Sequence, residues 1–149
     1  LQDFSIPEGR GNIIKINNMR IINDSYNANL ESMKKGILEL EQYKQPGVDV
    51  NLILGDMLEL SNESIEIHQE LGHYINSLNF IDNIYAIGSM VNYTLKEINH
   101  TSISKQCFLN KDRFIENIDN CNINDSSIIY IKGSRGMKLD QIIDYLNKC

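Results

Sequence analysis

No apolar run in the 149 residues approaches the ~18–20 that a bilayer span needs, so no transmembrane helix is read. Residues 1–10 hold neither a basic patch nor an apolar stretch. They are not read as a signal peptide, and a cytoplasmic chain is expected. Cysteine is scarce. Cys107, Cys121 and Cys149 fit no zinc spacing and are expected to be reduced thiols. Basic residues are outnumbered, 14 Lys and Arg against 20 Asp and Glu, for a net charge of -6 without a basic stripe. That balance argues against a nucleic-acid partner, although a few cations and backbone N–H groups suffice for one phosphate. The P-loop pattern Gly-x-x-x-x-Gly-Lys-Ser/Thr is missing, as is a dinucleotide fingerprint. No internal repeat, low-complexity linker, nucleophile–base pair or metal-ligand cluster stands out.

What is present is a globular composition, 42% hydrophobic, of one domain's size. Ile13-Ile14-Lys15-Ile16 and Met19-Arg20-Ile21-Ile22 flank Asn17-Asn18, which predicts a tight antiparallel hairpin. Met33, Ile37 and Leu40 share a face in a helix over residues 31–44, capped by Asn29 and ended by Pro46-Gly47. Alternation follows: a strand over 48–54, a helix over 64–78, a strand over 84–87 and a helix around Val91, Leu95 and Ile98. A short strand over 106–109 and a helix over 111–118 come next. The last strand is 128–131, and Leu139, Ile142, Ile143 and Leu146 suggest a terminal helix. The expected fold is α/β: a Rossmann-like three-layer domain, its mostly parallel sheet covered by helices on both faces, with the hairpin at its N-terminal end.

In such sheets, ligands bind beyond the carboxyl ends of the strands. Three polar segments fall there. They are Asn23 through Asn29, Gly55-Asp56-Met57-Leu58-Glu59-Leu60, and Lys132-Gly133-Ser134-Arg135-Gly136-Met137-Lys138. In the third, two glycines bracket Ser134 and Arg135 at a strand-to-helix turn. Glycine permits close backbone approach, and Arg135 can hold a carboxylate or phosphate bidentately. A basic loop that merely caps a helix fits the same residues. In the first, Asp24 suits sugar hydroxyls and Tyr26 offers an aromatic face, while an Asx-turn with a helix cap explains the segment equally well. Asp56 is either a site carboxylate or a loop residue. His68 lies beside the apolar face of its helix, where a hydrogen-bonded core histidine is the commoner case. The residues alone lead to a ligand-binding α/β domain with an anion site, and to no reaction.

Taken together and in order, the segments resemble the C-terminal domain of the Mur ligase family. Asp24-Ser25-Tyr26-Asn27-Ala28-Asn29, followed by Ser32-Met33, is similar to the family signature Asp-Ser-Tyr-Asn-Ala-Asn-Pro-x-Ser-Met. Leu30 stands where the family usually has Pro, whose fixed φ pre-sets a helix start. Leu54 through Leu60 resembles the second motif, with Ser64 and His68 at the family's offsets, and Lys132 through Leu139 resembles the third. Gly9-Arg10 is similar to the Gly-Arg at the family's domain boundary. The Tyr-Asn-Ala-Asn loop points to the branch that joins D-alanyl-D-alanine to UDP-N-acetylmuramoyl-tripeptide.

The resemblance implies residues 1–9 as the end of an interdomain linker and 10–149 as the C-terminal domain. The UDP-sugar domain and the central ATPase domain would lie outside it. It implies an ATP- and magnesium-dependent, amide-forming ligase. The tripeptide carboxylate takes the γ-phosphate of ATP to give an acyl phosphate, and the dipeptide amine displaces phosphate. This domain would close over ATP and position the dipeptide, and would be inactive alone. Arg10, Asp24, Tyr26, Asn27 and Asn29 would line the nucleotide. Lys132, Ser134, Arg135, Asp56 and His68 would line the dipeptide. No catalytic residue and no metal ligand is expected here, the central domain is the partner, and a monomer is expected. Two other readings stay open: the same domain of another Mur or folylpolyglutamate-type ligase, and a non-catalytic binding module.

Overall fold

In the computed structural model, residues 11–26, 28–58, 62–121 and 123–146 are described. Two short isoleucine-rich strands, β1 (Asn12–Ile16) and β2 (Met19–Asn23), form the expected hairpin. Asn17 makes the turn at φ 57°, a left-handed conformation that asparagine tolerates. Helix α1 (Leu30–Glu39) starts at a reciprocal cap. The Asn29 side chain accepts the Ser32 N–H, and the Ser32 hydroxyl accepts the Asn29 N–H. The alternation continues as β3 (Val50–Gly55), α2 (Ser64–Asn76), β4 (Asn83–Ile87) and α3 (Val91–Lys96). It ends as β5 (Ser104–Phe108), α4 (Lys111–Glu116), β6 (Ile128–Lys132) and α5 (Ile143–Leu146).

The sheet order is β1-β2-β6-β3-β4-β5, antiparallel within the hairpin and parallel elsewhere. Strands β3 and β6, apolar on both faces, are central and wholly buried, as such strands must be. Polar β5 takes the far edge. The period of two then sorts the core. Leu52 and Leu54 join Met33, Ile37, Leu71, Ile75 and Val91 under α1, α2 and α3. Ile53, Ile129 and Ile131 join Phe114, Leu139, Ile142 and Leu146 on the opposite face.

Most boundaries shift by one or two residues, and three helices differ more substantially from the sequence reading. The helix over 31–44 divides, its last turn tightening into a 3₁₀ segment at Leu40–Tyr43. The helix over 111–118 stops at Glu116, with a 3₁₀ turn at Ile118–Asn120. The terminal helix is shorter still. Lys138 sits at φ 52°, which breaks the chain into the 3₁₀ segments Arg135–Met137 and Leu139–Ile142 before α5. The spacing of Leu139, Ile142 and Leu146 satisfies burial in either geometry.

Candidate functional site

Strand order decides which segments meet. Because β6 lies between β2 and β3, its carboxyl end sets the third segment between the first and the second. Residues more than a hundred positions apart become neighbours. The Lys132 ammonium donates to Asp24 Oδ2 at 2.8 Å and reaches the Asp24 carbonyl at 3.4 Å. The Tyr130 hydroxyl donates to the same Oδ2 at 2.7 Å. Lys132 and Tyr130 are buried, while the Asp24 side chain stays 23% exposed. Burial first, then the Asp24 charge and this hydrogen bond, push the Tyr130 phenol far above its ordinary range, so it remains a neutral donor.

At the outer rim, the exposed Arg135 guanidinium lies 4.8 Å from the centre of the Tyr26 ring, and its Nη1 donates to the Tyr26 hydroxyl at 3.3 Å. The nucleotide set and the dipeptide set expected from sequence are therefore not separate clusters. Asp24 touches Lys132, and Tyr26 touches Arg135.

Other expected site residues are occupied by the fold. His68 is wholly buried. Its Nε2 accepts the Met57 N–H at 3.1 Å, and its Nδ1 donates to the Ser64 carbonyl at 2.7 Å, which sets the tautomer. It anchors the second segment from a wholly buried position, so any part it plays in the dipeptide pocket is through the Met57 backbone it holds. Ser134, 4% exposed, is likewise engaged, its hydroxyl accepting the Leu58 N–H. Asn29 is the helix cap, though exposed. Arg10 and Asn27 lie outside the described residues.

A Cβ on Gly133 would stand 2.7 Å from Leu139 Cδ1 and 3.0 Å from the Gly55 Cα. Gly55 and Gly133 thus let the ends of β3 and β6 pack beneath Leu139. Gly136 is less crowded, a Cβ there making only an ordinary contact with Leu58 Cδ1 at 3.5 Å.

Asp56 is buried, and its Oδ1 accepts the Val91 N–H at 2.7 Å. It forms the floor of a cavity of about 320 Å³ walled by Gly88, Ser89, Asn110, Lys111 and Met137. Gly88, at φ 122°, passes so close that a Cβ there would stand 2.6 Å from the Asp56 carboxylate. Sequence reasoning missed Tyr130 and this second wall of the cavity. A phenol within an isoleucine strand was the available sign of the first. The second needed the β4–β5 pairing, which no motif announces.

Three motif-bearing segments gathered beyond the carboxyl ends of one mostly parallel sheet define a Rossmann-like ligand-binding domain. Residues 9–135 match the family described as Mur ligase, glutamate ligase domain, and the chain belongs to that family. It is 39% identical, over 97% of its length, to UDP-N-acetylmuramoyl-tripeptide--D-alanyl-D-alanine ligase of Rickettsia prowazekii, and spans 31% of that protein. The ligase of the same name from Bacillus subtilis is 33% identical over 84% of the chain, which spans 27% of it. Among solved structures, MurF from Acinetobacter baumannii superposes with a TM-score of 0.81 at 27% identity, covering 95% of this chain and 31% of its own. MurF from Thermotoga maritima, solved in complex with ADP, shares the fold at a TM-score of 0.74 and 20% identity, covering 97% of this chain and 32% of its own. The chain thus spans about a third of the relatives it matches.

Proposed function

We propose that this domain is the C-terminal lobe of an ATP-dependent ligase that adds D-alanyl-D-alanine to UDP-N-acetylmuramoyl-tripeptide. The 39% identity across 97% of the chain to a ligase of that name carries the reading. In it, residues 1–9 end a linker from a central ATPase domain, and 10–149 form the lobe that closes over ATP. The Asp24 carboxylate, held from behind by Lys132 and Tyr130, presents its exposed side to the nucleotide sugar, with Tyr26 on the same edge. Arg135 meets the carboxylate of the incoming dipeptide, and the cavity over Asp56 gives that dipeptide room. Positioning of this kind lowers the barrier by proximity rather than by proton chemistry.

In this reading magnesium, which such a phosphoryl transfer uses, is held outside this lobe. Among the described residues no group of three or more His, Cys, Asp or Glu converges on one point, and Asp24 is already paired with Lys132. The metal is assigned to the ATP phosphates and the central domain. The test is phosphate release by the full-length protein with ATP, magnesium, UDP-N-acetylmuramoyl-tripeptide and D-alanyl-D-alanine. Turnover with glutamate or another single amino acid in place of the dipeptide would overturn the acceptor assignment. Turnover by residues 1–149 alone at the rate of the full-length protein would overturn the assignment of phosphoryl transfer to another domain.

A further inference from the structure

The Tyr130 phenol stands among the three isoleucines of β6, two residues before Lys132, and helix α1 carries a glycine where it passes the hydroxyl. A Cβ on Gly36, in the middle of α1, would stand 2.0 Å from the Tyr130 hydroxyl and 2.7 Å from the ring carbon that bears it. Glycine inside a helix is less stable than alanine. An aliphatic side chain like those of Ile128, Ile129 and Ile131 would pack the strand without requiring that glycine. What the phenol adds is one hydroxyl, and that hydroxyl goes to Asp24 Oδ2. Lys132 also binds Oδ2, and the described residues place no hydrogen bond on Oδ1. Two donors on one oxygen fix the carboxylate's rotation and leave the other oxygen for a ligand.

We propose that Tyr130 is a positioning residue. Its hydroxyl, admitted by Gly36, locks the Asp24 carboxylate so that Oδ1 is held ready for a hydroxyl of the bound nucleotide. The inference rests on the nucleotide-facing role proposed for Asp24. A lysine alone would not do this, because an ammonium on a flexible stem holds a carboxylate by charge with little control of its rotation. The phenol sits on a rigid strand and supplies the direction.

The test is steady-state kinetics on the full-length enzyme, with each substrate varied in turn. Tyr130→Phe keeps the ring and deletes the lock. The KM for ATP is expected to rise roughly 3- to 10-fold, the loss of one net hydrogen bond, while the KM for D-alanyl-D-alanine stays within about twofold. Gly36→Ala retains the hydroxyl but pushes it off Asp24, and should reproduce the same selective rise. Tyr130→Leu should not rescue ATP binding, although it restores an apolar strand and relieves the clash in a Gly36→Ala background. A merely structural phenol would lower thermal stability and shift all KM values together. That result, or an unchanged KM for ATP in a folded Tyr130→Phe protein, overturns the inference. The KM for ATP is read with whichever acceptor supports turnover. An enzyme that takes a different amino acid therefore overturns the functional reading without obscuring this result.

Discussion

The Ser134 hydroxyl accepts the Leu58 N–H at 2.6 Å, while the Ser134 N–H donates to the Asp56 carbonyl at 2.9 Å. These two bonds clamp the third motif to the second across the ends of β6 and β3. Ser134→Ala leaves the Leu58 N–H without its partner. An unsatisfied donor costs about 1–3 kcal/mol, so the urea midpoint should fall with little change in slope. If the midpoint holds and only the KM for the dipeptide rises, Ser134 belongs to the ligand after all.

Gly72 in α2 tests packing against propensity. Alanine would gain up to about 1 kcal/mol as a better helix former. Its Cβ, however, would stand 2.3 Å from the Thr94 carbonyl oxygen of α3. Overpacking against backbone typically costs about 1–3 kcal/mol, and Thr94 is itself tied to the His68 carbonyl at 2.7 Å. The clash wins, and Gly72→Ala is expected to melt at a lower temperature than the parent. A higher melting temperature would mean that α3 yields freely.

The hairpin, the central strands and the sidedness of the core were legible because each depends on local period. Ile128 through Ile131 reads as a buried strand, and Asn17-Asn18 as a turn, from neighbouring residues alone. The site was legible as a set of motifs but not as contacts. Nothing local tells that Asp24 meets Lys132, because their meeting depends on where β6 enters the sheet. The close approach that glycine permits was legible at Gly133, but not that its neighbours are Leu139 and Gly55. His68 shows the reverse case: its buried, hydrogen-bonded state is the commoner expectation for a histidine beside an apolar face, and the fold bears that out.

Burial pushes the Cys121 thiol up to about 11. At pH 8 only about one molecule in a thousand would carry the thiolate, the form that reacts. Alkylation of Cys121 by iodoacetamide in the folded protein should therefore be slow at pH 8 and rise about tenfold per pH unit toward 11. The native state holds this proton more tightly than the unfolded chain. The associated stability is thus complete below the unfolded thiol's value of about 8.5 and is lost as pH rises through about 11. A labelling rate that levels off near pH 9, followed by peptide mapping of Cys121, would show the thiol to be unperturbed.

Arg135 and Tyr26 set up a competition whose outcome decides what the arginine is for. At an exposed site the cation–π stack is worth about 0.5–1 kcal/mol, whereas a charge-assisted bond to a carboxylate is worth about 1.5–3 kcal/mol. A dipeptide carboxylate within reach should therefore draw the guanidinium from the ring or share it. Arg135→Ala is expected to raise the KM for D-alanyl-D-alanine roughly 10- to 100-fold and to leave the KM for ATP nearly unchanged. Asp24→Ala should do the opposite, or lower turnover by impairing closure. Arg135→Lys should recover only part of the loss, because an ammonium lacks the planar fork. Tyr26→Phe keeps the ring beneath the guanidinium and removes the long 3.3 Å hydroxyl contact to it, so the KM for the dipeptide should change far less than in Arg135→Ala. The measurement is initial rates on the full-length enzyme with each substrate varied in turn. If Arg135→Ala raises the KM for ATP and spares that for the dipeptide, the arginine serves the nucleotide, and the acceptor pocket must be placed elsewhere along the same edge.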